Sequence, residues 1–204
     1  MNDIEVDTVL FDFGGVIAEE GFKDGLAAIA KANGFDENTF AKVAHEAIYS
    51  TGYIVGRVPE SIYCGALREK TGIKGNDASI RNEIFSRFTV RDWMIDLVKT
   101  LKAQGITVGI LSDQTDMLDM LDKKYDFFKW FDYIFNSYHM GKGKRDHSLF
   151  DDVVYRLKTE PDRILFIDNN PRYVDRAREK GWKGIHYVDR DRFEKDIEEI
   201  FELK

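Results

Sequence analysis

A single cysteine, Cys64, stands in a chain of 204 residues. One thiol excludes an internal disulfide framework and any cysteine-rich zinc site, and Cys64 reads as a small buried apolar residue. Long apolar runs are missing too: none approaches the roughly 18 residues of a membrane span. The opening MNDIEVDTVLFD places acids where a secretory leader needs basic residues, so the expected compartment is the cytosol and no membrane partner is expected. Basic residues are the minority, 30 Lys and Arg against 37 Asp and Glu, for a net charge of −7. That balance argues against a general nucleic-acid binder, although a small anionic substrate needs only local positive charge. No internal repeat or low-complexity segment is present, which excludes a solenoid or a tail.

What is present is an ordinary globular composition, 43% apolar and 33% charged, long enough for one domain or one domain with an insertion. Short apolar runs bounded by Gly, Asp and Asn predict buried strands at Val6–Phe11, Ile106–Leu111, Tyr133–Phe135, Ile164–Ile167 and Gly184–Tyr187. Helical patterns lie between them at Thr115–Tyr125, His147–Leu157 and Pro171–Lys180, the last with Asn170 placed to cap it. This alternation predicts a doubly wound α/β unit with a parallel sheet covered on both faces.

The stretch from about Gly21 to Phe88 has helical periodicity and no convincing strand. One helix runs through Ala27, Ala28, Ala30 and Ala32 to Gly34; a second starts at Asp36 or Asn38 and ends near Gly52; a third opens at Pro59 and stops before Gly72. The predicted organisation is therefore an α/β core over residues 1–17 and 89–204 with a helical cap inserted at 18–88.

Ligands of open parallel sheets sit beyond the carboxyl ends of the strands. There the first strand delivers Asp12 into a Phe13-Gly14-Gly15 turn, and the second delivers Ser112 and Asp113. The third leads through Asn136, Ser137 and a glycine-rich loop to Lys144, and the fourth delivers Asp168 and Asn169. Hard carboxylate oxygens and a backbone carbonyl suit Mg²⁺, a lysine supplies point charge to phosphate, and Ser112 and turn amides donate hydrogen bonds. An Asp beside both metal and lysine can attack phosphorus to form an acyl phosphate that water hydrolyses.

At these positions the chain resembles the haloacid dehalogenase-like hydrolase superfamily. VLFDFGGVI is similar to its first motif, GILSD to its second, SYHMGKGKRD to its third and LFIDNNP to its fourth. The order of the motifs and the helical insert are similar to members with a small helical cap. The resemblance implies Asp12 as nucleophile, with Ser112 and Lys144 holding the phosphoryl group. It also implies Mg²⁺ on Asp12, the Gly14 carbonyl, Asp168 and Asn169, and substrate contacts from Phe13, Gly14, Ser112, Asp113 and Lys144. The expected activity is hydrolysis of a small phosphorylated metabolite.

Two positions depart from the family pattern. Gly14 replaces the usual second Asp, the general acid and base, a role worth roughly 10² to 10⁴ in rate. Asn169 replaces the usual second acid of the fourth motif. Glu19, Glu20 and Asp113 are the nearest substitutes for the missing acid, each more simply read as a solvated acid or cap. A protein that binds phosphate without efficient turnover is therefore an alternative. Dehalogenation is another, disfavoured because Asp168 stands where that branch typically has Ser. A phosphoacceptor signalling domain is disfavoured by the insert. Asp12-Phe13-Gly14 also spells the kinase metal triplet, with no upstream nucleotide lobe. His45, His139, His147 and His186 are scattered, Asp116, Asp119 and Asp122 read as a wet helix face, and Tyr53, Arg57 and Tyr63 of the cap are candidates to face substrate, with packing or surface the simpler reading of each. Oligomeric state is left open.

Overall fold

In the computed structural model, which describes residues 6–201, five strands form one parallel sheet among the described residues. They are β1 (Thr8–Phe11), β2 (Thr107–Ser112), β3 (Tyr133–Asn136), β4 (Ile164–Asp168) and β5 (Lys183–His186), in the order β3-β2-β1-β4-β5. The acidic first residues and the outermost ends assigned to the core, 1–5 and 202–204, lie outside the described residues.

The sheet is apolar on both faces because its strands are. Every residue of β1 and β4 is buried, the pattern of strands covered on two sides. On one face Val9, Phe11, Val108, Ile110, Leu165 and Ile167 join the apolar sides of α5 (Asp92–Ala103), α6 (Met117–Tyr125) and α10 (Arg190–Glu198). On the other, Leu10, Leu111, Phe135 and Phe166 meet α8 (Ser148–Leu157) and α9 (Pro171–Glu179), with Trp182 edge-on to Phe150 and Phe166.

The helical stretch holds four helices, α1 (Gly21–Ala32), α2 (Glu37–Ser50), α3 (Glu60–Thr71) and α4 (Asp77–Ser86). Their ends follow local chemistry: the Asp36 carboxylate accepts from the Thr39 amide, Asn76 does the same for Ser79, and α3 stops at Gly72 in the left-handed region at φ 75°. α1 packs against α2 and α4, and the buried side chains of this block are continuous with the sheet-face core.

Boundaries differ from the sequence pattern where side chains compete for the backbone. The first strand begins at Thr8 rather than Val6; the Asp7 carboxylate accepts from Arg163 Nε at 2.6 Å. α6 begins at Met117 rather than Thr115, since the Thr115 hydroxyl accepts the Met117 amide. The turn after α2 is fixed by close approach: Gly56 sits at φ 67°, and a Cβ there would lie 2.3 Å from the Tyr138 carbonyl.

Candidate functional site

Register places the chemistry. Phe11 is level with Ile167 and the Asp12 amide donates to the Ile167 carbonyl at 2.8 Å, so Asp12 and Asp168 leave neighbouring strands side by side. These are β1 and β4, on either side of the point where the strand order turns back, the crevice expected to hold ligands. β2 brings Ser112 beside them, and its hydroxyl donates to Asp12 Oδ1 at 2.6 Å.

Lys144 arrives from the loop after α7 (Ser137–Met140) and is 1% exposed. Its Nζ lies 2.9 Å from Asp12 Oδ1 and 2.5 Å from Asp168 Oδ2. Lys142 is instead at the surface on Asp152. Burial works against the Lys144 charge, but Asp12, Asp168 and Asp113 outweigh it and raise its pKa, so the ammonium persists. Burial raises Asp168, and the neighbouring Asp12 charge adds to this while Lys144 opposes it. Asp168 Oδ1 accepts the Asn170 amide at 2.7 Å, and the Asn170 side chain caps α9.

The remaining residues picked out from the sequence fall into different roles. Asp113 spends its carboxylate on the Lys144 amide at 2.7 Å and the Tyr49 hydroxyl at 2.9 Å, and burial raises its pKa. The Phe13 side chain is in the core, stacked on Phe127, while its amide donates to Ser112 Oγ at 3.4 Å. Gly14 lines the cavity; a Cβ on it would meet Gln114 Nε2 at 3.4 Å and Phe88 at 3.8 Å. The Asn169 side chain donates its amide to Glu20.

The three acids weighed as replacements for the missing one separate clearly. Glu19 is clamped by Arg91 with two contacts of 2.8 Å, which lowers its pKa, and Arg91 also holds the Gly15 and Val16 carbonyls. Asp113 is spoken for. Glu20 lines the cavity, with its pKa raised by burial first and by the Asp12 charge second.

The strand ends open into a cavity of about 410 Å³. Its floor includes Asp12, Ser112, Lys144 and Asp168, and its roof is made by the helical block. Ties across the seam include Tyr49 to Asp113, the Tyr53 hydroxyl to Asp116 at 2.5 Å, and Ser137 Oγ to the Ile54 carbonyl at 2.7 Å.

Among the described residues no group of three or more acids, histidines or cysteines converges as a metal cage. Mg²⁺ needs no cage, since it keeps waters and takes one or two carboxylates plus phosphate. The donor set here fits it: two adjacent carboxylates share a single ammonium, and the Ser112 and Lys144 contacts fall on Asp12 Oδ1.

A sequence model of the haloacid dehalogenase-like hydrolase family matches residues 6–175. The chain belongs to this family. Flavin mononucleotide hydrolase 1 of Arabidopsis thaliana is 27% identical over 115 residues, 56% of this chain and 47% of that protein, so the match spans about half the relative's length. A HAD-like family hydrolase from Porphyromonas gingivalis superposes with a TM-score of 0.78 at 18% identity, covering 98% of this chain and 100% of the other. A HAD family enzyme from Bacteroides thetaiotaomicron, crystallised with magnesium and inorganic phosphate, gives 0.70 at 19% identity, covering 92% and 98%. These likenesses show the fold, and the family makes the chain a hydrolase.

Within this HAD-like frame, sequence reasoning passed over Tyr49, Gln114, Tyr173 and Arg176. Arg176 donates to the Lys144 carbonyl at 2.8 Å, and the Lys144 ammonium lies 4.9 Å from the Tyr173 ring. Of the cap residues weighed as facing substrate or as packing, Tyr53 and Tyr63 line the cavity, as does His45, whose pKa burial lowers. No local pattern marks any of them. No helix of the described residues is long and apolar enough to cross a membrane.

Proposed function

We propose that the chain is a Mg²⁺-dependent phosphoric monoester hydrolase for a small phosphorylated metabolite, with the helical block at 18–88 acting as a cap over the core at 1–17 and 89–204. The observation that carries this reading is the Asp12 carboxylate, fixed through one oxygen by Ser112 and Lys144 at the floor of a roofed cavity. Its other oxygen attacks phosphorus as the ester oxygen departs, giving an aspartyl phosphate and an alkoxide that takes a proton from solvent; water then cleaves the acyl phosphate, restoring the carboxylate and returning a proton to solvent. Lys144 and Ser112 supply charge and a donor to the phosphoryl oxygens. Asp12, the Gly14 carbonyl, Asp168 and Asn169 are the residues to hold Mg²⁺, which when bound neutralises phosphate charge. The cap excludes bulk water during transfer.

A screen of phosphorylated metabolites with and without Mg²⁺, flavin mononucleotide among them, tests this beside Asp12→Asn. Metal-dependent release of phosphate that the substitution abolishes supports the reading; turnover that survives it unchanged sinks the nucleophile. The binding-protein alternative draws on the absent side chain at Gly14, and it predicts stabilisation by Mg²⁺ and phosphate with no product. Chloride release from a 2-chloro acid in place of phosphate release points to the dehalogenase branch.

A further inference from the structure

The part of the cavity built by α2, α3, α4 and the turn after α2 differs in character from the floor. Ile48 of α2, Ile54, Ile80 and Ile84 of α4 give it apolar walls, and the Tyr53 and Tyr63 rings, stacked 5.6 Å apart at 21°, give it flat aromatic ones. The two charges there cancel: Arg81 Nη1 meets Glu60 at 2.6 Å. Among the described residues, the cation lining this region, Arg81, is already paired, so a second anionic group on the substrate is not favoured here.

Two donors on these walls are unspent. Tyr63 is 3% exposed, and among the described residues neither its hydroxyl nor the buried Arg81 Nε has a hydrogen-bond partner. Buried polar groups are nearly always paired, and each exception asks for an explanation. Neither atom has surface open to water as the walls stand, so an acceptor on a ligand satisfies either one only with a shift of these side chains. Arginine Nε can only donate, and the phenol can donate, so the missing partner is an acceptor. It has to arrive on something flat and apolar enough for the walls around it.

We propose that this region is a leaving-group subsite for a neutral, ring-bearing alcohol or phenol that carries a carbonyl or similar acceptor toward Tyr63 and Arg81. The proposal rests on the phosphoester reading of the floor. It excludes small polyols and doubly phosphorylated compounds as preferred substrates, because they bring hydroxyls or charge to apolar walls.

The test uses a substrate pair and a variant. 4-Acetylphenyl phosphate and 4-isopropylphenyl phosphate have rings of similar shape, and only the first has the acceptor. Their different leaving-group reactivities cancel when the ratio of their kcat/KM values is compared between the wild type and Tyr63→Phe. The substitution is expected to lower that ratio about fivefold, the effect of one hydrogen bond. Tyr63→Phe also deletes an unpaired buried hydroxyl, so thermal unfolding is expected to stay at or above the wild-type midpoint, which excludes misfolding as the cause. Arg81→Met is expected to lower the ratio similarly.

An unchanged ratio in both variants, or glycerol phosphate turned over better than either aryl ester, overturns the subsite while leaving the hydrolase reading intact. Calorimetric binding of 4-hydroxyacetophenone separates the other case. Binding that Tyr63→Phe weakens, in a protein that hydrolyses no phosphate ester, supports the subsite and rejects the phosphoester floor.

Discussion

Restoring a carboxylate at position 14 asks the sharpest question of the site. Gly14 is absent from the glycines with positive φ, and a Cβ there meets only the end of the Gln114 side chain at 3.4 Å and Phe88 at 3.8 Å, both ordinary contacts. Gly14→Asp therefore fits sterically, and replacing glycine at a compatible position recovers about 0.4–1 kcal/mol from the unfolded chain. Against this, a carboxylate roughly 6 Å from Asp12 is repelled by about 3 kcal/mol at an effective dielectric of 20. The net loss is about 2 kcal/mol, a fall in Tm of roughly 4–8 °C for a chain of this size. The same repulsion lifts the new carboxyl above its ordinary value, toward the range where it can hand a proton to a departing alkoxide. Steady-state turnover of an alkyl phosphate is expected to rise by about 10² or more, while p-nitrophenyl phosphate, whose phenolate leaves unaided, changes little. A folded Gly14→Asp protein whose alkyl-to-aryl rate ratio equals the wild type's would refute the argument that the missing acid limits this enzyme.

Two further outcomes follow from packing. Gly56→Ala forces a Cβ to within 2.3 Å of the Tyr138 carbonyl at a left-handed φ; stability should fall by at least about 1–2 kcal/mol, measured by urea unfolding, and a loss under about 0.3 kcal/mol would show that the seam yields. Cys64 is 1% exposed and burial pushes its thiol up to about 12, so a thiol reagent at pH 8 should label it only as fast as the protein opens, and rapid native labelling would contradict the packing of α3.

Much of the sheet was legible because its strands are short apolar runs closed by Asp, Ser or Asn, and in a parallel sheet those closing residues share one edge. That is why local pattern alone puts Asp12, Ser112 and Asp168 at one edge of the sheet. α5 was also readable, since Met94, Ile95, Val98 and Leu101 keep helical spacing, yet it was not picked out. Glu20 was not separable from Glu19 in the chain. What divides them is Arg91, 72 residues beyond Glu19, which takes Glu19, and the Asn169 amide, 149 residues from Glu20, which takes Glu20. Tyr63 is similar: helical periodicity buries it, but only the fold shows that it lines a cavity with its hydroxyl unpaired. Periodicity reports which face is buried, not what the face meets.

The Asp113 carboxylate joins two things that are separate in sequence, the lysine loop and the second helix of the block. It accepts from the Lys144 amide and from the Tyr49 hydroxyl. Lifting the roof at α2 removes one of those partners and leaves a desolvated carboxylate with less to hold it, so roof and lysine loop share a single free-energy term. Reciprocity then applies: whatever steadies Lys144 in its place also draws the roof down. On the phosphoester and cap reading proposed above, a phosphate seated on the lysine would be felt at Tyr49, and a bulky group that props the roof open would loosen the lysine before any chemistry began.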